Sequence, residues 1–192
     1  MKSIVTNLTL FKISWLACVI GAAAGMPWIG VLAILAASIV HIASAEIKSR
    51  TVALLASAAL IGLVWESFMI VGGWLEYVDH TGPIAPYWII AMWVLFATTL
   101  NVGFRWLKDH LLVAALVGGI GGPMAFAAGA KAGAVQFENP TTALVIVGIG
   151  WALMMPLMVY ISRYLNGHPN LEAAVSNAPE SSERTVAIDH AA

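Results

Sequence analysis

A glutamate interrupts a long apolar stretch of the chain. Glu66 lies within the sequence GLVWESFMIVGG, residues 62–73. A charged side chain at the centre of a membrane-spanning helix costs about 2.5–3.5 kcal/mol on insertion scales. Acidic groups in such helices are rare and mark substrate, ion or proton pathways. The chemistry open to Glu66 is therefore binding of a ligand, transfer of a proton, or a structural hydrogen bond between helices.

The neighbours of Glu66 predict that its side chain faces the interior of a helix bundle. Ala59, Gly62 and Gly73 lie seven or four residues from it, and these spacings place them on one helix face. Small residues on one face are typical of helix contacts in membranes. The positions three and four residues away hold no cation, and burial disfavours the charged form of a carboxyl group. We therefore expect Glu66 to point inward and to be at least partly protonated.

A glycine-rich stretch that ends in a proline is predicted at a similar depth. In the sequence GGIGGP, residues 118–123, proline lacks a backbone donor and clashes with the preceding turn of the helix. Broken helices at membrane depth line cavities or binding sites, whereas a plain kink is relieved by neighbouring side chains. The sequence is compatible with both. The candidate intramembrane site comprises Glu66, Trp93, Gly119, Gly122, Pro123 and Trp151.

A second polar layer is predicted nearer the other end of the helices. Lys12 is expected to reach this layer from the first apolar segment. Hydrogen bonds between membrane helices contribute only about 0.6 kcal/mol each on average. The layer either joins helices or forms a polar pocket or proton relay. Its members are His41, Thr98, Asn101 and Tyr160.

The elements that must position these residues are apolar helices. Of the 192 residues, 60% are hydrophobic and only 10% are charged, whereas a soluble domain is about a quarter charged. Mean hydropathy is +0.88. We predict an all-α fold, a polytopic membrane helix bundle with six transmembrane helices of about 20 residues each. Residues 1–165 form this domain, and residues 166–192 are predicted to be a polar, disordered cytoplasmic tail. The predicted spans are 4–25, 27–46, 51–73, 86–105, 111–130 and 141–165.

Lysine and arginine predict the orientation of the bundle. With the N-terminus inside, seven cations outside the tail fall on or near the cytoplasmic side and only Lys131 falls outside. The positive-inside rule therefore predicts an N-in/C-in topology. The seven are Lys2, Lys12, Lys48, Arg50, Arg105, Lys108 and Arg163. The rings then expected at the outer interface are Trp28, Trp74, Tyr77, Tyr87 and Trp88.

Several kinds of chemistry have no matching pattern in the sequence. Side chains with metal-ligand spacing, a serine nucleophile elbow and a phosphate-binding glycine loop are all missing, so we expect no metal and no cofactor. Cys18 is the one cysteine, expected to be a buried thiol. The expected partners are the lipid bilayer and a lipidic or small-molecule ligand, with no nucleic acid. The oligomeric state is left open.

Three stretches carry a resemblance to a known family. They are SWLACVIGAAAGMPWIG at 14–30, APYWIIAMWVLFATTLNVGFRWL at 85–107 and GGPMAFAAGAKAGAVQF at 121–137. They resemble the domain of unknown function 2878 family of small bacterial inner-membrane proteins, over most of residues 8–165. The resemblance implies a multi-pass location in the bacterial inner membrane and an acidic residue in the third helix, here Glu66. It implies glutamine where this chain has Lys12, and it implies no activity.

Three functions are compatible with these observations. The first is an inner-membrane protein that binds or moves a small or lipidic molecule through the polar site around Glu66. The second is a membrane enzyme, or an accessory subunit, in lipid modification, with chemistry from His41, Glu66 and Asn101. The third is a structural scaffold. The lack of a recognisable nucleophile or metal set favours the first, which requires no enzymatic activity.

Overall fold

The computed structural model describes residues 4–166, which form six α-helices, one short 3₁₀ helix and two short strands. The predicted tail, residues 166–192, lies outside the described residues except for Asn166, which ends the last helix. In chain order the elements are α1 Ile4–Ala23, α2 Pro27–Ala43, α3 Lys48–Val71, β1 Leu75–Tyr77, α4 Tyr87–Leu100, the 3₁₀ helix Arg105–Asp109, α5 Leu111–Ala132, β2 Val135–Phe137 and α6 Pro140–Asn166.

Proline and glycine set several of the helix boundaries. Pro27 and Pro140 open α2 and α6, and Pro86 immediately precedes α4. Proline suits a first turn because its missing N–H would have no partner there and its φ is already helical. At the other end of α5, Gly133 adopts φ +86°, a left-handed conformation that glycine reaches without a steric cost. The ends of α1, α2, α3, α5 and α6 lie within three residues of the ends of the corresponding predicted segments.

Four of the six helices are long and apolar enough to cross a membrane, namely α1, α3, α5 and α6. Their surfaces carry exposed large apolar side chains at mid-helix, such as Leu60, Val64 and Ile120, and such surfaces are typical of contact with lipid. The predicted fourth span, 86–105, is too long, because α4 has only 14 residues. The chain turns after Leu100 and continues as the 3₁₀ helix, and α2, with 17 residues, is also short.

Glycines allow the helices to approach closely. Gly30 of α2 lies directly against the backbone of Cys18 in α1, and Gly118 of α5 lies against the backbone of α6 at Trp151. A side chain at either glycine would overlap the neighbouring helix. Glycine at these contacts lets the helix backbones approach closely. Cys18 is fully buried as a free thiol.

A pair of short strands, which the sequence did not predict, accompanies the six α-helices. β1 and β2 pair antiparallel, with Leu75 opposite Phe137 and Tyr77 opposite Val135. Each strand has only three residues, which is too short for an alternating pattern to stand out in the sequence. The pair joins the α3–α4 connection to the α5–α6 connection and places Tyr77 over the interior of the bundle.

Candidate functional site

Glu66 lies in the interior, where its small-residue helix face places it. Its side chain is 0% exposed. Tyr77 Oη donates a hydrogen bond to Oε2 at 2.6 Å, and Trp93 Nε1 donates one to Oε1 at 2.8 Å. Burial, together with the neighbouring Glu66, raises the pKa of Tyr77 well above its usual range, so the phenol keeps its proton and acts as the donor. Each carboxyl oxygen is therefore held by one aromatic side chain.

Stacked aromatic rings extend from this carboxyl group. The indole of Trp93 stacks on that of Trp151 with centroids 4.8 Å apart and an angle of 21° between the planes. Phe96 meets Trp151 edge to face at 5.2 Å. Tyr77 meets Trp88 edge to face at 5.1 Å. Both arrangements are favourable for aromatic quadrupoles, so Glu66 anchors two aromatic pairs, one through Trp93 and one through Tyr77.

These rings line a cavity of about 490 Å³, which we call the Glu66 cavity. It lies among α1, α4, α5 and α6, and Tyr77 and Val135 of the strand pair line it too. Close-packed interiors rarely contain voids larger than one water molecule. A mainly apolar cavity with a few polar groups is the usual form of a small-molecule site.

The Glu66 cavity opens through the side of the bundle between α1 and α5. Its lining includes Leu16 of α1 together with Gly121, Met124 and Ala128 of α5, all of which are exposed. Leu16, Gly121 and Met124 lie in the middle parts of two helices that are long and apolar enough to cross a membrane, and Ala128 lies nearer the end of α5. In a bilayer such an opening faces hydrocarbon rather than water.

Lys12 also lines the Glu66 cavity. The expectation that Lys12 reaches the second polar layer is therefore wrong. Its exposed side chain lies one position from Phe11 and one helical turn from Leu16 on α1, and both neighbours line the same cavity. The titratable side chains in the described lining are thus Lys12, Glu66 and Tyr77.

The glycine-rich stretch of α5 contributes to the cavity through only some of its residues. Gly122 lines it and lies directly against the ring of Trp151. Gly119 and Pro123 instead face α6, near Ala152 and Gly148, and do not line the cavity. The helix runs unbroken from Leu111 to Ala132 through Pro123. An unwound stretch is therefore excluded, and these two residues belong to the packing of α5 against α6.

A second cavity, of about 870 Å³, lies at the other end of the helices and is called here the polar cavity. His41, Thr98 and Asn101 of the predicted second layer all line it. Asn101 Oδ1 accepts hydrogen bonds from Lys108 Nζ at 2.8 Å and from Ser162 Oγ at 2.7 Å. These bonds tie the end of α4 to the 3₁₀ helix and to α6.

The family model described as "Protein of unknown function (DUF2878)" matches residues 4–157. The chain belongs to the DUF2878 family. No curated protein and no solved structure matches the sequence. Among the described residues, all of those that line the Glu66 cavity lie in the matched DUF2878 region. Within residues 4–166 no group of three or more His, Cys, Asp or Glu side chains could hold a metal ion.

One predicted member of the second layer of this DUF2878 protein is misplaced. Tyr160 is 57% exposed and lies outside both cavities. The buried face of α6 near it runs through Met155, Met158, Val159 and Ser162, and Tyr160 points away from that face. The prediction rested on depth along the helix, and depth alone does not fix the rotation of a helix about its axis.

Two aromatic residues of the site were assigned to the outer interface by the sequence. Tyr77 and Trp88 are each only 4% exposed, whereas Trp28 and Tyr87 are more than half exposed. An exposed ring is compatible with an interface location, and a buried one is not. Tyr77 is buried because the third residue of β1 points to the same side as the first, Leu75. The burial of Tyr77 could have been inferred from the sequence only through the pattern of Leu75, Glu76 and Tyr77, in which two apolar residues flank a charged one.

Proposed function

We propose that this DUF2878 protein is a six-span protein of a bacterial inner membrane with both ends in the cytoplasm. Four helices support the membrane location by length and composition, and α2 and α4 complete the bundle as shorter spans. The charge asymmetry supports the orientation, because Arg50, Arg105 and Lys108 lie at one end of the helices and Lys131 at the other. In this orientation the polar cavity faces the cytoplasm and the strand pair faces outward.

The orientation is testable with reporter fusions. A phosphatase domain inserted after His80, in the α3–α4 connection, is expected to be active because that connection lies outside. A fluorescent protein fused after residue 192 is expected to fluoresce because the C-terminus lies inside. A phosphatase that is active at residue 192 and inactive at His80 would contradict the topology.

We propose further that the protein binds a small, mainly apolar molecule from the bilayer in the Glu66 cavity. The observation that carries this proposal is an aromatic-walled cavity of about 490 Å³ with a lateral opening between two apolar helices. Volumes of this order accommodate drug-sized molecules. A lateral opening admits molecules already dissolved in lipid, so the ligand is a lipidic compound or an acyl chain.

Glu66 acts in this proposal as a positioning residue. Its side chain is fully buried and is therefore not expected to contact the ligand. Its two hydrogen bonds hold Trp93 and Tyr77 in place, and the rings of these two residues form walls of the cavity. Lys12, exposed at the opening, is available to an anionic or polar end of the same molecule. A cation at this depth is costly in lipid unless it has such a partner.

The proposal is tested by filling the cavity at Gly121. A Cβ at this position would meet no atom within 4 Å, so Gly121→Leu occupies free space in the lining. Apolar compounds that co-purify with the protein in mild detergent are extracted and quantified by mass spectrometry. We expect Gly121→Leu to retain the fold and to carry at least about tenfold less of the bound compound, which corresponds to roughly 1.4 kcal/mol.

The control is Ala53→Leu, which adds similar apolar bulk at an exposed position of α3 outside the cavity. It should carry as much of the compound as the wild type. Equal amounts in all three proteins would contradict binding in the Glu66 cavity. An altered acyl-chain or headgroup composition in cells that lack the protein would instead favour the alternative role in lipid modification.

A further inference from the structure

We propose that the polar cavity binds a phosphate-type oxyanion. Three basic side chains line it, namely Arg50, Arg105 and Lys108, and His41 lies among them. Glu46 is the one carboxylate in the described lining. The described lining therefore holds more basic than acidic side chains, and such a lining favours the entry of an anion.

The cations come from different elements that the fold brings together. His41 lies in the last turn of α2, Arg50 in the first turn of α3, and Arg105 and Lys108 in the 3₁₀ helix. Lys108 is only 3% exposed and its ammonium group donates to Asn101 Oδ1 and to the carbonyl of Ser162. These two hydrogen bonds hold the Lys108 amine in a fixed position at the edge of the cavity, unlike the amine of a mobile surface lysine.

The first turn of α3 also contributes positive electrostatic potential to the polar cavity. Ile47, Arg50 and Thr51 line the cavity, and the cap residue Ile47 has an extended backbone without a side-chain hydrogen bond. The N-terminal end of a long helix is a partial positive charge with free N–H groups. The guanidinium groups of Arg50 and Arg105 can each donate two parallel hydrogen bonds to phosphate oxygens. Together with the N-terminal N–H groups of α3, they supply the donors that an oxyanion requires.

The size of the cavity indicates what carries the oxyanion. A volume of about 870 Å³ exceeds that of a free phosphate ion and leaves room for the group to which the phosphate is attached. Basic pockets between membrane helices on the cytoplasmic side bind the headgroups of anionic lipids. The shared chemistry is a phosphate, and its source is either a lipid headgroup or a soluble phosphate compound. The inference does not depend on binding in the Glu66 cavity, although Phe11 lines both cavities.

Binding is measured on the full-length protein in a neutral detergent, with three compounds: inorganic phosphate, phosphatidylglycerol, and diacylglycerol, which lacks the phosphate. Affinities are obtained from the ligand-dependent rise in the thermal unfolding midpoint. The test variant is Arg50→Gln/Arg105→Gln, in which both replaced side chains are exposed. The control is Lys48→Gln/Lys131→Gln, which removes the same charge at exposed positions outside the cavity.

We expect phosphatidylglycerol, phosphate or both to bind the wild type and the control with equal affinity. The test variant should bind roughly twentyfold more weakly, because each cation near the headgroup raises the affinity on the order of fivefold. Added salt should weaken wild-type binding. Binding of phosphatidylglycerol alone assigns the site to a headgroup, and comparable binding of phosphate assigns it to a soluble compound. Equal binding of diacylglycerol, equal loss in the control, no salt dependence, or no binding of either phosphate compound would each overturn the proposal.

Discussion

Replacing Glu66 by leucine is expected to lower the free energy of unfolding by roughly 2–6 kcal/mol, because two buried donors lose their acceptor at about 1–3 kcal/mol each. Those donors are Tyr77 Oη and Trp93 Nε1. Leucine can fill the space but accepts no hydrogen bond, and in the interior of the bundle water does not replace it. The measurement is the midpoint of thermal unfolding in detergent, followed by the circular dichroism of the helices.

Glu66→Gln should cost much less, on the order of 1 kcal/mol. The amide oxygen still accepts from Trp93, and the amide nitrogen then faces Tyr77, whose hydroxyl can accept a hydrogen bond as well as donate one. Glu76→Leu is the control, since Glu76 lies next to Tyr77 in β1 but points outward. If Glu66→Leu were as stable as the Glu76 variant, the two hydrogen bonds would not support the site.

The second large effect is expected at Gly122. A Cβ there would overlap Cγ and Cδ1 of Trp151, so Gly122→Leu must displace that ring from its stack on Trp93. We expect a loss of roughly 2–4 kcal/mol from overpacking and from the broken aromatic pair. The displacement also removes a packing partner of Trp93, so the hydrogen bond from Trp93 Nε1 to Glu66 is weakened as well.

The neighbouring Gly121→Leu is the matched control for stability. It makes the same substitution one residue away, where the new side chain enters free space, and removing a glycine from a helix is favourable by up to about 1 kcal/mol. The near-ultraviolet circular dichroism of the stacked tryptophans should change in Gly122→Leu much more than in Gly121→Leu. Similar stability and similar spectra for the two variants would show that the ring stack is not formed.

The helical period explains which parts of the site could be predicted. It placed Glu66 on a face with Gly62, and Gly62 does lie in the interior, directly against Trp93. Residue counts along the helices placed Trp93 and Trp151 at a similar depth, and the two rings stack. Both inferences need only the geometry of a straight helix.

What could not be predicted depends on how each helix is rotated against its neighbours. Gly121 and Gly122 line the cavity while Gly119 and Pro123 face α6, although all four lie within two turns of α5. Neither period nor depth distinguishes them, because α5 is apolar on every side. The rotation of α6 likewise explains why Tyr160 lies outside the polar cavity. Lys12 was assigned to the wrong cavity because the sequence does not show which helices pack beside α1.

The strand pair could not be predicted for a different reason, namely the shortness of its strands. Three residues carry no periodic signal, so Tyr77 was treated as part of a loop at the interface rather than as the second partner of Glu66. The cations of the polar cavity were recognised only as markers of orientation. That Arg50 and Arg105 line one space follows from the packing of α3 beside the end of α4, which no local pattern encodes.

The most direct test of a bilayer-accessible cavity is photolabelling of the wild-type protein in membranes with palmitic acid that carries a diazirine near the end of its chain. Peptide mapping should find the label on the cavity-lining residues within 12–19 of α1 and within 121–128 of α5. Excess unlabelled palmitic acid should compete with that labelling. The contrary result is equal labelling of exposed α3 residues such as Leu60 and Val64, without competition. It would mean that the fatty acid contacts only the outer surface of the bundle and does not enter the Glu66 cavity.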